Sequence, residues 1–323
     1  MNPENPSIMQ ALRFHQFGKP LEVLRLEELA LPPLKDGEVR LKMLAAPVNP
    51  ADLNLIEGTY GVKPPLPSVP GIEGCGEVVG SSSPDFQPGD RAIILRRAGT
   101  WATHVQAEAG HLFKLPAGID PIQAAMLKVN PATAWRLLTG FNMPEKGSWI
   151  AQNAANSAVG RCVIGLAKQL GVRTINLVRR QDLFAELLAL GADVVALDED
   201  AAVEAHKDKA PSLAFNCVGG ESALRLMNLL APGGTHITFG AMARRPLTVP
   251  NGLLIFKNLN LRGLWITKWI ENAPREEIDE VYGRLARSGL MMAVDRLVPL
   301  ADYGEAIKAL TAPDRNGKVL LVP

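Results

Sequence analysis

From Ser148 onward the sequence alternates between two hydrophobic periods, and that alternation limits the possible folds more than any other feature. "SWIAQN" is a short apolar strand. "GRCVIGLAKQLG" then sets Val163, Ile164, Ala167 and Leu170 on one helical face and stops at Gly171. "TINLVRR" is a second strand and "LFAELLALG" a second helix, closed by Gly191. "DVVAL" and "LAFNCVG" are strands, "SALRLMNLLAPGG" is a helix and "THITFG" a strand. Strands and helices alternating at this spacing build a parallel sheet covered by helices on both faces. The expected class is α/β, with a Rossmann-type doubly wound sheet.

The chain before this region has another texture. Of the 25 prolines, 17 precede Trp149. Short β-type runs such as "EVRLKMLAA" and "GDRAIIL" are separated there by Pro and Gly, as in a strand-rich, irregular domain. From Thr267 the tail has amphipathic helices and a final strand, "GKVLLVP".

The turn "QNAANSAVG" leaves the first strand of the alternating region and enters its first helix. Such a turn offers free backbone N–H groups and the positive end of a helix dipole, which suit a pyrophosphate. Of the usual G-x-G-x-x-G glycines only the last is present, as Gly160, where a side chain would hold the helix off the strand. Ala158 is small enough for close approach, and Asn156 and Ser157 bring side-chain donors. The next strand selects the cofactor. An NAD site places an acid at its end to bond the ribose hydroxyls. Here Arg179 and Arg180 stand there, 19 and 20 residues past Gly160. Two guanidiniums suit a 2′-phosphate and so favour NADPH.

Composition excludes several classes. A formal net charge of +1 gives no footprint for nucleic acid or a membrane surface. Apolar runs are broken well before they would span a bilayer. The start, "MNPENPSIMQ", has neither a basic stretch before an apolar core nor the Arg-rich character of a transit peptide, which leaves the cytoplasm as the expected compartment. Cys75, Cys162 and Cys217 are too few and too far apart for a disulfide framework or a structural zinc site, and read as buried thiols.

"PVNPADLNLIEGTYG", "QNAANSAVG", "RTINLVRR", "LAFNCVGG", "LLIFKNLNLRGLW" and "GKVLLVP" together resemble the medium-chain dehydrogenase/reductase superfamily, and within it the 2-enoyl thioester reductases of fatty acid synthesis. The resemblance covers nearly the whole chain. It implies a β-rich, GroES-like catalytic domain at 1–121, an NADPH-binding Rossmann domain at 122–265, and a C-terminal part at 266–323 completing the catalytic domain. It also implies a cleft between the domains and homodimers joined through cofactor-domain strands. Zinc enzymes of the superfamily hold their metal by an early Cys, the His of a Gly-His-Glu motif and a later Cys. Here the matching stretches are "PVNPAD" and "GIEG", with Ile72 in the histidine's place and no Cys in the first, so metal-free chemistry is expected.

The resemblance makes Tyr60, in "EGTYG", the catalytic group, although a lone loop tyrosine is more commonly structural. A phenol aimed at the thioester oxygen would stabilise an enolate formed by hydride attack on the β-carbon. Trp265 would wall the acyl pocket. The cofactor would be held by Asn130, by the turn Asn156, Ser157, Ala158, Val159 and Gly160, and by Arg179, Arg180 and Gln181. Phe239, Gly240, Ala241 and Met242, then Leu264 and Ile266, and finally Lys318 complete the set. Arg244 and Arg245 are candidates for the phosphates of a CoA or acyl-carrier-protein arm. Three readings follow: an enoyl thioester reductase; a zinc-free quinone or enone reductase; and a non-catalytic NADPH-binding structural or RNA-binding protein. Tyr60 and the Asn-Ser turn favour the first.

Overall fold

A computed structural model describes residues 8–310, 312 and 315–323. The first seven residues, on which most of the N-terminal targeting reading rests, lie outside them. The chain divides into two compact units, Met1–Val129 with Ile270–Pro323, and Asn130–Trp269.

The first unit opens with a hairpin, β1 (Ile8–Phe14) and β2 (Leu24–Ala30), around the short α1 (Pro20–Val23). Then come β3 (Glu38–Pro47), α2 (Pro50–Glu57), β4 (Cys75–Ser81), β5 (Arg91–Ile94), β6 (His104–Glu108), β7 (Leu112–Lys114) and α3 (Pro121–Ala124). The second unit runs α4 (Asn130–Thr139), β8 (Trp149–Gln152), α5 (Ala158–Leu170), β9 (Arg173–Val178), α6 (Phe184–Leu190), β10 (Val194–Leu197) and α7 (Asp200–His206). It continues with β11 (Leu213–Asn216), α8 (Gly220–Leu229), β12 (Thr235–Thr238), α9 (Asn251–Ile255) and β13 (Asn260–Gly263). After α10 (Ile266–Asn272), the chain completes the first unit with α11 (Arg275–Ala286), β14 (Val294–Pro299), α12 (Tyr303–Leu310) and β15 (Lys318–Val322).

In the second unit all six strands are parallel, in the order β10-β9-β8-β11-β12-β13. The amphipathic α5 buries Val159, Val163, Ile164 and Ala167, and ends at Gly171 in the left-handed region that glycine adopts without penalty. Helix α6 ends at Gly191 in the same way.

The segment "LLIFKNLNLRGLW" is strand only in part. Leu253–Ile255 belong to α9, which begins after Pro250, and the strand is confined to Asn260–Gly263. A short apolar run fits either period, and proline's fixed φ suits a helix start.

In the first unit the two ends of the chain share one sheet, ordered β14-β15-β3-β4-β5-β7 with β6 on β3. Strand β15 lies antiparallel to β3, pairing Leu321 with Ala46. Leu12, Phe14, Val48, Leu55 and Trp101 pack with Val298, Ile307 and Val319 in a single core.

Candidate functional site

Strand β8 is the switch point of the parallel sheet. The chain leaves it for β9 on one side and later reaches β11 on the other, so its carboxyl end faces a crevice of the kind that receives dinucleotides. The turn after β8 shows how the missing glycines are replaced. The left-handed residue is Ala154, at φ 45°. A Cβ at Gly160 would stand 2.5 Å from the Ala155 carbonyl oxygen, so only glycine fits there. Ser157 caps α5, its Oγ accepting from the Gly160 N–H at 3.1 Å. Its acceptor is thereby spent on the helix, while the first-turn N–H groups of Ala158 and Val159 have no helical partner. Asn156 is exposed beside them.

Buried amides lace the ends of the strands together. Gln152 Nε2 donates to Asn176 Oδ1 at 2.7 Å and to the Gly160 carbonyl at 2.9 Å. Asn153 Nδ2 donates to Asn216 Oδ1 at 2.8 Å, and Asn153 Oδ1 accepts from the Cys217 N–H at 2.9 Å. Asn216 Oδ1 also accepts from the N–H groups of Val218 and Gly219. A satisfied network of this kind holds strand ends rigidly. The sequence gives its amides no periodicity, and only their position at strand ends marks them.

Apart from Asn130, the other expected cofactor residues of this unit lie in the segments that follow the carboxyl ends of β9, β12 and β13. Arg179 and Arg180 are exposed just past β9, with Arg180 Nε 3.5 Å from Asp182, and Gln181 begins a short 3-10 turn. Phe239 and Gly240 are half-buried after β12, and the Phe239 N–H donates to the Asn216 carbonyl at 3.0 Å. Ala241 and Met242 are exposed, and the Met242 N–H donates to the Cys217 carbonyl. The Leu264 N–H donates to the Thr238 carbonyl, Ile266 is buried, and Trp265 lies half-buried with Lys268 Nζ 5.6 Å above its ring. Asn130 opens α4, only 6% exposed, and its Nδ2 has no hydrogen-bond partner. A buried donor left unmade is costly unless a ligand supplies its acceptor. The Gly160 approach and the open helix N-terminus fit a dinucleotide, and the Asn130 amide is a further unpartnered donor in the same unit.

Tyr60 and Lys318 lie in the first unit. Helix α2 is capped at its start by a reciprocal pair, Asn49 and Asp52, and ends at Gly58 in the left-handed region. The Thr59 and Tyr60 N–H groups both bond the Asn54 carbonyl, and Tyr60 is half-buried against the core.

Beneath α2 is a buried charged cluster that the sequence reading did not single out. Asp52 and Glu73 are fully buried, and Lys128 and Lys318 nearly so. Asp52 accepts from the Ile72 and Asn49 N–H groups, both at 2.9 Å. Glu73 accepts from Asn49 Nδ2 and from the Val129 N–H, also at 2.9 Å. Lys128 Nζ donates to the Ile72 carbonyl at 2.6 Å, and Lys318 Nζ donates to Asn49 Oδ1. Burial pushes the Asp52 carboxyl up to about 7, opposed by the Asn49 N–H and reinforced by the Glu73 charge. Burial likewise raises Glu73, and lowers Lys128 to about 8 against the pull of Glu73 and Asp52. The cysteines are free and buried, and burial pushes the Cys75 and Cys217 thiols up to about 12.

Two family models match, the alcohol dehydrogenase GroES-like domain over 35–117 and the zinc-binding dehydrogenase over 158–287. The enoyl-(acyl-carrier-protein) reductase, mitochondrial, of Rattus norvegicus is 41% identical, over 98% of this chain and 89% of its own length. The Homo sapiens protein of the same name is 40% identical over the same shares. The chain belongs to the enoyl thioester reductase family.

Among solved structures, this reductase superposes on the Etr1p/NADP/crotonyl-CoA complex with a TM-score of 0.88 at 28% identity, over 98% of this chain and 100% of the other. A putative NADPH:quinone reductase from Bacillus thuringiensis gives 0.91, also at 28%, over 98% and 99%. The expected cytoplasmic location is overturned by these comparisons, because the enoyl reductase relatives are named mitochondrial. That expectation rested on the lack of a recognisable address at the start of the sequence, and such a lack is not a signal.

The residues of this reductase do not fit the catalytic zinc that one family description implies. No group of three or more His, Cys, Asp or Glu side chains able to hold a metal occurs among the described residues. Ile72 stands at the histidine's place and uses both its backbone groups, on Asp52 and Lys128. Among the described residues no helix is long and apolar enough to cross a membrane.

Proposed function

We propose that this protein reduces the α,β double bond of 2-enoyl thioesters with NADPH. The identity of about two residues in five with enoyl-(acyl-carrier-protein) reductases, across nearly the whole chain, carries this reading. The acyl carrier is CoA or acyl-carrier protein, in line with the crotonyl-CoA complex of Etr1p and the carrier named for the curated relatives. Bound NADPH supplies the hydride, to the β-carbon. The amide-laced strand ends, the Asn156–Gly160 turn and Asn130 hold and orient the dinucleotide, and Arg179 and Arg180 meet the 2′-phosphate. Gln181, Phe239–Met242, Leu264 and Ile266 line its path, and Trp265 borders the acyl group. The Tyr60 hydroxyl donates to the thioester oxygen as charge develops there, and it, or a water behind it, returns a proton to the α-carbon.

The protein acts as a homodimer. Strand β13 is one of the two edges of the sheet, with every residue exposed, and Ile255 and Phe256, shortly before it in the chain, are 69% and 85% exposed. An open strand edge preceded by exposed apolar side chains is relieved by pairing with a second copy.

The likeness to a putative quinone reductase keeps one competitor in view. Turnover of crotonyl-CoA and of a quinone by the parent and by Tyr60→Phe separates the two. The phenol is a donor needed most in the transition state, so kcat for crotonyl-CoA is expected to fall on the order of a hundredfold to a thousandfold. NADPH affinity should stay within about twofold, since no cofactor contact is lost. A Phe variant that keeps the parent rate would make Tyr60 a packing residue and move the quinone reading ahead.

A further inference from the structure

Four ionisable side chains, two carboxyl groups and two amines, are buried beneath one end of α2, and nothing in the proposed chemistry uses them. Burying ionisable groups is expensive, and an apolar replacement of similar volume is commonly no less stable. Stability alone therefore does not account for the cluster, and its geometry points elsewhere. Every group in it bears on the start of α2. Asp52 closes the helix cap and is itself anchored by the Ile72 N–H. The Asn49 side chain is held from both sides, by Glu73 through its nitrogen and by Lys318 through its oxygen. Lys128 fixes the other face of Ile72, and its own carbonyl accepts from Tyr282 at 3.0 Å. Thr100 Oγ1 donates to the Glu73 carbonyl at 2.7 Å. Two carboxyl groups are buried with two amines, so the cluster is matched in acids and bases.

At its other end α2 passes through Gly58 directly into Tyr60. A Cβ at Gly58 would stand 3.0 Å from the Phe17 ring, which fixes where the chain leaves the helix. From Asp52 to Tyr60 the backbone is one hydrogen-bonded block, since the Tyr60 N–H is tied back to Asn54. An eight-residue helix is about 12 Å long, so a tilt of about 5° at its start moves the far end by about 1 Å. A misplacement of that size costs on the order of a hundredfold in rate.

We propose that Asn49, Asp52, Glu73, Lys128 and Lys318 are positioning residues, a buried network matched in acids and bases that sets the catalytic phenol by fixing the start of the helix that carries it. This rests on the reading of Tyr60 as the group that stabilises the enolate. Lys318 thereby takes a role in the first unit, on the α2 side, rather than only a cofactor contact.

The test sets Lys128→Met and the double variant Glu73→Gln/Lys128→Met on the parent and on Tyr60→Phe. Readouts are kcat and KM for crotonyl-CoA, NADPH affinity by fluorescence, and the thermal midpoint. On the parent, Lys128→Met should lower kcat about a hundredfold and the double variant about tenfold, with NADPH affinity within about twofold. On Tyr60→Phe neither should lower kcat further, because the group being positioned is gone. The double variant removes one acid together with one base, so it decides the matter if Lys128→Met does not fold. A kcat loss of the same factor on both backgrounds, or none on the parent, overturns the proposal. Failure of the Tyr60 reading shows separately, as a Tyr60→Phe enzyme that alone keeps the parent rate.

Discussion

Single residues divide into those whose chemistry is visible in sequence and those whose role is purely spatial. Arg179 and Arg180, proposed to meet the 2′-phosphate, are of the first kind, since charge at the end of the second strand of the parallel sheet suggests a direct reading. Each charged bond to a 2′-phosphate contributes about 1.5–3 kcal/mol. Replacing both with Ser should therefore raise the KM for NADPH at least a hundredfold and leave NADH nearly untouched, and steady-state kinetics with the two cofactors would show it. Equal losses would mean that the pair does not read the phosphate. Gly160 was legible for a similar reason, because a fingerprint glycine implies close approach, and here the Ala155 carbonyl is what approaches. Ala154 was not legible: its φ of 45° is imposed by the surrounding turn, and alanine carries no signature for it. Lys128 was passed over because one lysine in an apolar stretch normally marks a wet helix face. Only the fold shows it buried among carboxylates.

At the scale of elements, period and punctuation carried most of the parallel sheet, since its helices stop at Gly171 and Gly191 as their sequences suggest. Helix α7 was missed, its seven residues being too short to show a face. Helix α9 was not singled out, for the same lack of length. Strand β12 carries a buried cost. His236 is fully buried there, and neither ring nitrogen has a partner. Burial alone lowers its pKa from 6.5 to about 4. The unfolded chain thus binds a proton between about pH 6.5 and 4 that the folded chain refuses, and stability falls as pH falls through that window. The contribution is about 3 kcal/mol once pH is below both values. His236→Leu should flatten the thermal midpoint against pH between 4 and 6.5 and be at least as stable at pH 7. An unchanged slope would assign the acid sensitivity to other groups.

For the whole molecule, the free edge beside β13 yields the prediction of assembly. Light scattering of the parent at micromolar concentration should give twice the chain mass. Ile255→Asp/Phe256→Asp should give the single mass with unchanged circular dichroism, because the substituted side chains already face water in the lone chain. A parent of single mass would refute the dimer. The sheet of the first unit carries a different consequence. Strand β15 seats Lys318 against Asn49 from 269 positions away, and the whole second unit lies between them in the chain. A ribosome therefore releases the cofactor-type unit with every strand of its sheet present while the other unit still lacks β14 and β15. Until those two strands arrive, β3 has an open flank and Asp52 and Glu73 lack one of their two buried amines. A chain arrested between the two steps would carry every strand of the six-stranded sheet but not the contact of Lys318 with Asn49.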